Sequence, residues 1–97
     1  MVDHIVLFKL TPGASPESVR SMCSALENLR DKIPQVVEIH AGLNLSDRGQ
    51  GHAVVLTSRF RSKDDLLIYS DHPEHKRVLA EFVHPIRESV TVGDLEY

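Results

Sequence analysis

The most constraining feature of this chain is its opening strand. Val2 to Leu10 places Val2, His4, Val6, Phe8 and Leu10 on one face and Asp3, Ile5, Leu7 and Lys9 on the other. Both faces are apolar at the centre, so the strand needs cover on both sides. A chain of 97 residues has few elements to supply that cover, and a domain this small buries only about 60–65% of the surface its unfolded chain exposes. One face must therefore be covered by its own helices and the other by something else.

The order of elements narrows the choice. Thr11-Pro12-Gly13 ends the strand as a turn. Ser15 caps a helix with Pro16 at its first position and Glu17 in its first turn. Val19, Met22, Leu26, Leu29 and Ile33 form its apolar stripe, and Pro34 ends it. Residues 36–45 alternate as a second strand, residues 46–51 form a hairpin loop, and residues 52–61 form a third strand. Ser62 with Asp65 signals the cap of a short helix over residues 63–69. Pro73 starts another helix, with Val78, Leu79, Phe82 and Ile86 as its stripe, and residues 89–97 form a last strand.

This β-α-β-β-α-β order with a split second helix predicts an α+β, ferredoxin-like single domain over residues 1–97: an antiparallel four-stranded sheet with helices on one face. Ile5, Leu7 and Val55 lie on the face without helices. An uncovered apolar sheet face is a contact surface, and two such sheets stacked face to face make a two-fold homodimer, a dimeric α/β barrel.

Composition excludes several classes. A net charge of -3 leaves no basic footprint for nucleic acid; Arg59, Arg61 and Lys63 read as a solvated strand edge. The longest apolar run, Ile5 to Phe8, is too short to span a membrane. The single cysteine, Cys23, forms no internal disulfide, and Asp3 stands where a signal peptide would be basic, so a cytoplasmic location is expected. No glycine-rich phosphate loop is present, because Gly49 and Gly51 lie in a hairpin. Cys23 has no charged activator beside it and reads as packing.

Six histidines carry most of the chemical signal: His4, His40, His52, His72, His75 and His84. His4 shares a strand face with Val6 and Phe8, and His75 shares a helical face with Leu79 and Phe82. Such inward histidines are either satisfied core residues or acid–base groups tuned by burial. Tyr69 lies just before the helix break, where a phenol can reach the same end of the sheet. Two histidines and a tyrosine converging under helices would form an acid–base site. His72 reads as a helix-terminus residue, and His40, His52 and His84 as solvated edge residues. His72 and His75 alone have tight ligand spacing, without an evident third metal ligand.

Several segments are together diagnostic: His4-Ile5-Val6-Leu7-Phe8-Lys9, Ile33-Pro34 with Val36 and Val37, Gly42-Leu43-Asn44-Leu45-Ser46, Tyr69-Ser70-Asp71-His72-Pro73-Glu74-His75-Lys76 and Asp94-Leu95-Glu96-Tyr97. In these the chain resembles the stress-responsive dimeric α/β-barrel (Dabb) proteins over essentially its whole length. The resemblance implies a ferredoxin-like protomer and a barrel-shaped homodimer. One plant branch of that family comprises polyketide cyclases that work by intramolecular aldol condensation. Position by position, the resemblance implies that His4, Tyr69 and His75 serve the pocket. Val54 stands where the cyclase pocket adds another histidine, a departure from that branch. The resemblance also implies a Mg²⁺ site on the backbone carbonyls of Arg30, Ile33 and Val36, at the end of the first helix, where unpaired carbonyls carry partial negative charge. No other cofactor is expected.

Two functions follow as expectations. The first is a small apolar or aromatic ligand in a His/Tyr-lined pocket, with cyclase- or lyase-type acid–base chemistry. The second is a non-catalytic stress or assembly protein whose function is its homo-oligomer. A haem-degrading sheet dimer ranks last, because the chain has no tryptophan.

Overall fold

In the computed structural model, which describes Met1–Tyr97, one bent layer of helices lies across one face of a four-stranded antiparallel sheet. The elements are β1 (Val2–Leu10), α1 (Pro16–Glu27), α2 (Leu29–Lys32), β2 (Glu38–Leu43), β3 (Val54–Phe60), α3 (Lys63–Asp71), α4 (Pro73–Val78), a π-helical turn (Leu79–Val83) and β4 (Arg87–Glu96). The strand order β2-β3-β1-β4 puts β1 and β3 in the middle, which is why β1 is apolar on both faces.

Local chemistry sets the boundaries. Ser15 Oγ accepts from Ser18 N (3.0 Å) to cap α1, and Ser62 Oγ accepts from Asp65 N (3.1 Å) to cap α3. His72 Nδ1 accepts from Glu74 N (3.0 Å) and caps α4, with Pro73 in its first turn. Each side chain satisfies a helix-start amide that has no partner inside the helix.

The core lies between helices and sheet. Met22 and Leu26 of α1, Leu29 of α2 and Ile33 at its end meet Val6, Phe8, Val54, Leu56 and Phe60 from the sheet, closed by Tyr69, Val78 and Val83. Helix-facing strand residues are the even positions of β1 and β3, as the period of two requires.

Three expectations shift. The second and third strands are shorter than their apolar alternation implies. Leu45 is 99% exposed in the loop, because Asn44 Oδ1 accepts from Ser46 N and Asn44 Nδ2 donates to the His52 carbonyl, which ends the ladder. In the last helix, Val83 rather than Phe82 is fully buried. The His84 N–H reaches back five residues to the Leu79 carbonyl (2.8 Å), and the extra residue in that turn moves the inward position by one. Arg59 is not a free surface cation: it donates to both Asp3 carboxylate oxygens (2.8 and 3.2 Å), and Tyr97 OH donates to the same group (3.1 Å). That pairing holds the Asp3 carboxyl below the usual carboxylate range.

The uncovered surface also differs in place. Ile5, Leu7 and Val55 on the open face are half-buried by their neighbours, while every residue of β4 is exposed. Val92 and Leu95 are 52% and 57% exposed. From the register, Val92 lies opposite Val6 on the helix side and Leu95 lies opposite Asp3 on the open side. No helix is long and apolar enough to cross a membrane.

Candidate active site

His4, the third residue of β1, and His75, in α4, line one cavity of about 160 Å³ between sheet and helices. Its walls are apolar, with Val6, Phe8, Leu56 and Val83 among them.

His75 is held from behind. Its Nδ1 lies 3.1 Å from the Ser70 carbonyl oxygen. A carbonyl only accepts, so Nδ1 carries the proton and Nε2 is left as the free lone pair of the neutral ring. Burial pushes the His75 pKa below its ordinary value; the Ser70 hydrogen bond opposes this, and the charges of His4 and His72 add to the lowering. At neutral pH this ring is a base with its basic nitrogen unoccupied.

His4 is held across the sheet. It pairs in register with Asp94 of β4, and its Nδ1 donates to Asp94 Oδ1 (2.5 Å). This orients the ring and fixes which nitrogen faces the carboxylate, so that Nε2 is the working atom. Asp94 is the partner that sequence reasoning missed, since it lies ninety residues away and only the strand register brings it there.

Tyr69 is fully buried, and its ring lies against His75 (centroids 4.4 Å) and Phe60 (5.0 Å). Its hydroxyl is buried without any hydrogen-bond partner. Burial also pushes the phenol pKa well above its ordinary value, so the proton stays on. An unpaired buried hydroxyl costs about 1–3 kcal/mol, which makes this group the one unsatisfied donor of the core. The three predicted residues therefore do come together, with Tyr69 stacked behind His75 rather than lining the cavity itself.

The remaining histidines divide. His72 is the α4 cap, as the proline after it implies. His52 pins the hairpin through the Gly49 carbonyl (2.8 Å) and Thr91 Oγ1 (3.2 Å), and His40 is exposed. His84 is exposed, yet it also lines the cavity, with Arg87. His84 caps the π-helical turn and Arg87 begins β4, and no periodic pattern signals the pair. Cys23 is half-buried, and burial raises its thiol pKa, as fits a packing residue.

Arg30 lies in α2, Ile33 is the extended residue ending it, and Val36 follows in the turn. Val36 N donates to the Ile33 carbonyl (3.1 Å), which takes one of that oxygen's lone pairs. No group of three or more His, Cys, Asp or Glu side chains is placed to hold a metal ion.

The likenesses to known proteins agree with this fold. A stress-response A/B barrel domain-containing protein of Arabidopsis thaliana is 36% identical over 97% of this chain, which spans 36% of that protein's length. A dimeric protein of unknown function and ferredoxin-like fold from Bacteroides fragilis is 35% identical, with a TM-score of 0.80 over 99% of this chain and 95% of that one. A hydroxynitrile lyase from Passiflora edulis is 26% identical, with a TM-score of 0.86 over 97% and 90%. Residues 2–97 match the profile of the stress responsive A/B barrel domain, and the chain belongs to that family, Dabb.

Proposed function

We propose that this chain is a homodimer whose protomers each carry an acid–base site for a small apolar or aromatic carbonyl compound, or its hydroxyl adduct. The observation that carries the reading is a half-buried base on an apolar cavity: His75, held at Nδ1 by the Ser70 carbonyl with Nε2 unbonded, lines that cavity together with His4. His75 Nε2 takes a proton from the carbon next to the carbonyl, or from the hydroxyl of an adduct. Tyr69 backs the His75 ring and holds it in place, and the His4 ring, which lines the same cavity, faces negative charge as it develops on oxygen. Asp94 positions His4 for that task.

Cavity size limits the ligand. About 160 Å³ is close to the volume of the engineered cavity that binds benzene, so one ring is the natural guest and an extended polyketide is not. The Passiflora relative's name supports a lyase in particular. A hydroxynitrile loses its hydroxyl proton to a base as the C–C bond breaks, the electron pair leaves with cyanide, and the proton then returns to give hydrogen cyanide and an aldehyde.

The test is titration of the protein with acetophenone, a one-ring ketone, while following the His75 ring resonances by NMR. Saturable shifts at His4 and His75 are the expected result. Shifts confined to exposed histidines such as His40 would remove the site and favour an assembly role.

The dimer proposal rests on the open sheet face, where Leu95 is 57% exposed beside half-buried Ile5, Leu7 and Val55, and on the dimeric relatives. Leu95→Glu, which puts a charge on that open face, is expected to shift the assembly to monomer by light scattering. An unchanged mass would place the interface away from Leu95.

A further inference from the structure

The cavity holding His4 and His75 has a chemically one-sided lining. Its walls are apolar, and its polar members are His4, His75, His84 and Arg87, with no carboxylate among them. Asp94, the carboxylate across the sheet from His4, bonds that ring and does not line the cavity. His84 and Arg87 are exposed, whereas His4 and His75 are not, so the first pair marks the mouth and the second the interior.

Arg87 has no partner. Arg59 is engaged by Asp3 and Glu38, and Arg77 by Glu74 and Glu81, whereas Arg87, like Arg20, Arg30, Arg48 and Arg61, forms no salt bridge, and of these five only Arg87 lines this cavity. Arg87 makes no salt bridge and no side-chain hydrogen bond, although Glu88 follows it directly. A guanidinium offers a planar fork of donors that fits a carboxylate in two parallel hydrogen bonds. At the mouth of a mostly apolar cavity, such a group selects ligands by charge, because the cavity side of the pair is partly shielded from water.

We propose that the site takes small monocarboxylates: compounds whose carbonyl and ring enter toward His75 while a carboxylate at the far end is held at the mouth by Arg87, with His84 beside it. This inference rests on the acid–base site above, and it assigns Arg87 the role of a specificity-determining residue, not a catalytic one. An apolar wall with a cation at its entrance has no use for a neutral hydrocarbon alone, and it disfavours a cationic ligand outright.

The experiment compares 4-acetylbenzoate with acetophenone, which differ by that one carboxylate, using the His75 ring resonances as the reporter. In the unmodified protein 4-acetylbenzoate is expected to bind about tenfold more tightly, as one charge-assisted contact supplies. Arg87→Gln should bring the two ligands level and leave acetophenone unchanged. A second measurement needs no variant: raising ionic strength should weaken 4-acetylbenzoate and not acetophenone, because only the charged pair is screened. If both ligands move His75 with equal affinity, insensitive to salt and to Arg87→Gln, the carboxylate preference is overturned while the acid–base site stands. If neither ligand moves His75, both fail.

Discussion

Tyr69→Phe yields a more stable protein whose site is unchanged. The ring packs fully buried against Phe60 and His75, and phenylalanine keeps both contacts. What disappears is a buried hydroxyl with no partner. Removing an unsatisfied polar group and leaving its apolar frame recovers part of its desolvation cost, so we expect a gain of about 1 kcal/mol. For a domain of this size that corresponds to about 4–8 °C in Tm. The hydroxyl does not line the cavity of His4 and His75, so turnover is expected to stay close to that of the unmodified protein. Calorimetry and the release of aldehyde from a one-ring hydroxynitrile read the two properties separately. A destabilised variant would show that the hydroxyl has a partner in solution, and a turnover lowered about 10²-fold or more would show that it reaches the ligand.

His75→Gln has the second large effect. Glutamine keeps an amide near the Ser70 carbonyl but has no basic nitrogen. Loss of a general base costs about 10²–10⁴-fold in rate. The substitution also changes how stability depends on pH. In the folded protein the His75 pKa lies below its ordinary value of 6.5, with burial as the largest cause. Between the folded and the unfolded values the unfolded chain binds more protons, so stability rises with pH across that window. The contribution is intact above about 6.5 and is lost as pH falls through the folded value. Urea titrations from pH 7.5 down to pH 5 should show that loss in the unmodified protein and a shallower one in His75→Gln. An identical slope in both would mean that other groups govern the acid limb.

The fold was legible because its signals are local. Ser15, Ser62 and Pro73 mark helix starts with side chains that act within three residues, and period-two alternation places Val2, His4, Val6 and Phe8 on one face without any knowledge of the partner strand. The site was legible for the same reason: the phase of His4 in its strand and of His75 in its helix is enough to turn both inward. Asp94 was not, because alternation specifies a face but not which strands are neighbours, and only β1 beside β4 sets His4 against it. The inward turn of Val83 and the cavity position of His84 were missed at the π-helical turn, where one added residue breaks the 3.6-residue phase, and that of Arg87 at the start of β4. The orphan state of the Tyr69 hydroxyl is a property of everything around it, and no motif encodes an absence. Leu45 misled in the opposite direction, since an apolar residue in an alternating run looks like strand until an asparagine side chain ends the ladder.

The central claim is that His75 is a neutral base with a free Nε2 facing a cavity that ligands enter. Nitrogen-15 NMR of the imidazole ring tests it most directly, because the two ring nitrogens report tautomer and titration together. The account predicts a neutral ring protonated on Nδ1, titrating below 6.5, with Nε2 shifting when acetophenone is added. A ring protonated on Nε2, or one titrating at or above 6.5 and indifferent to the ketone, would contradict it.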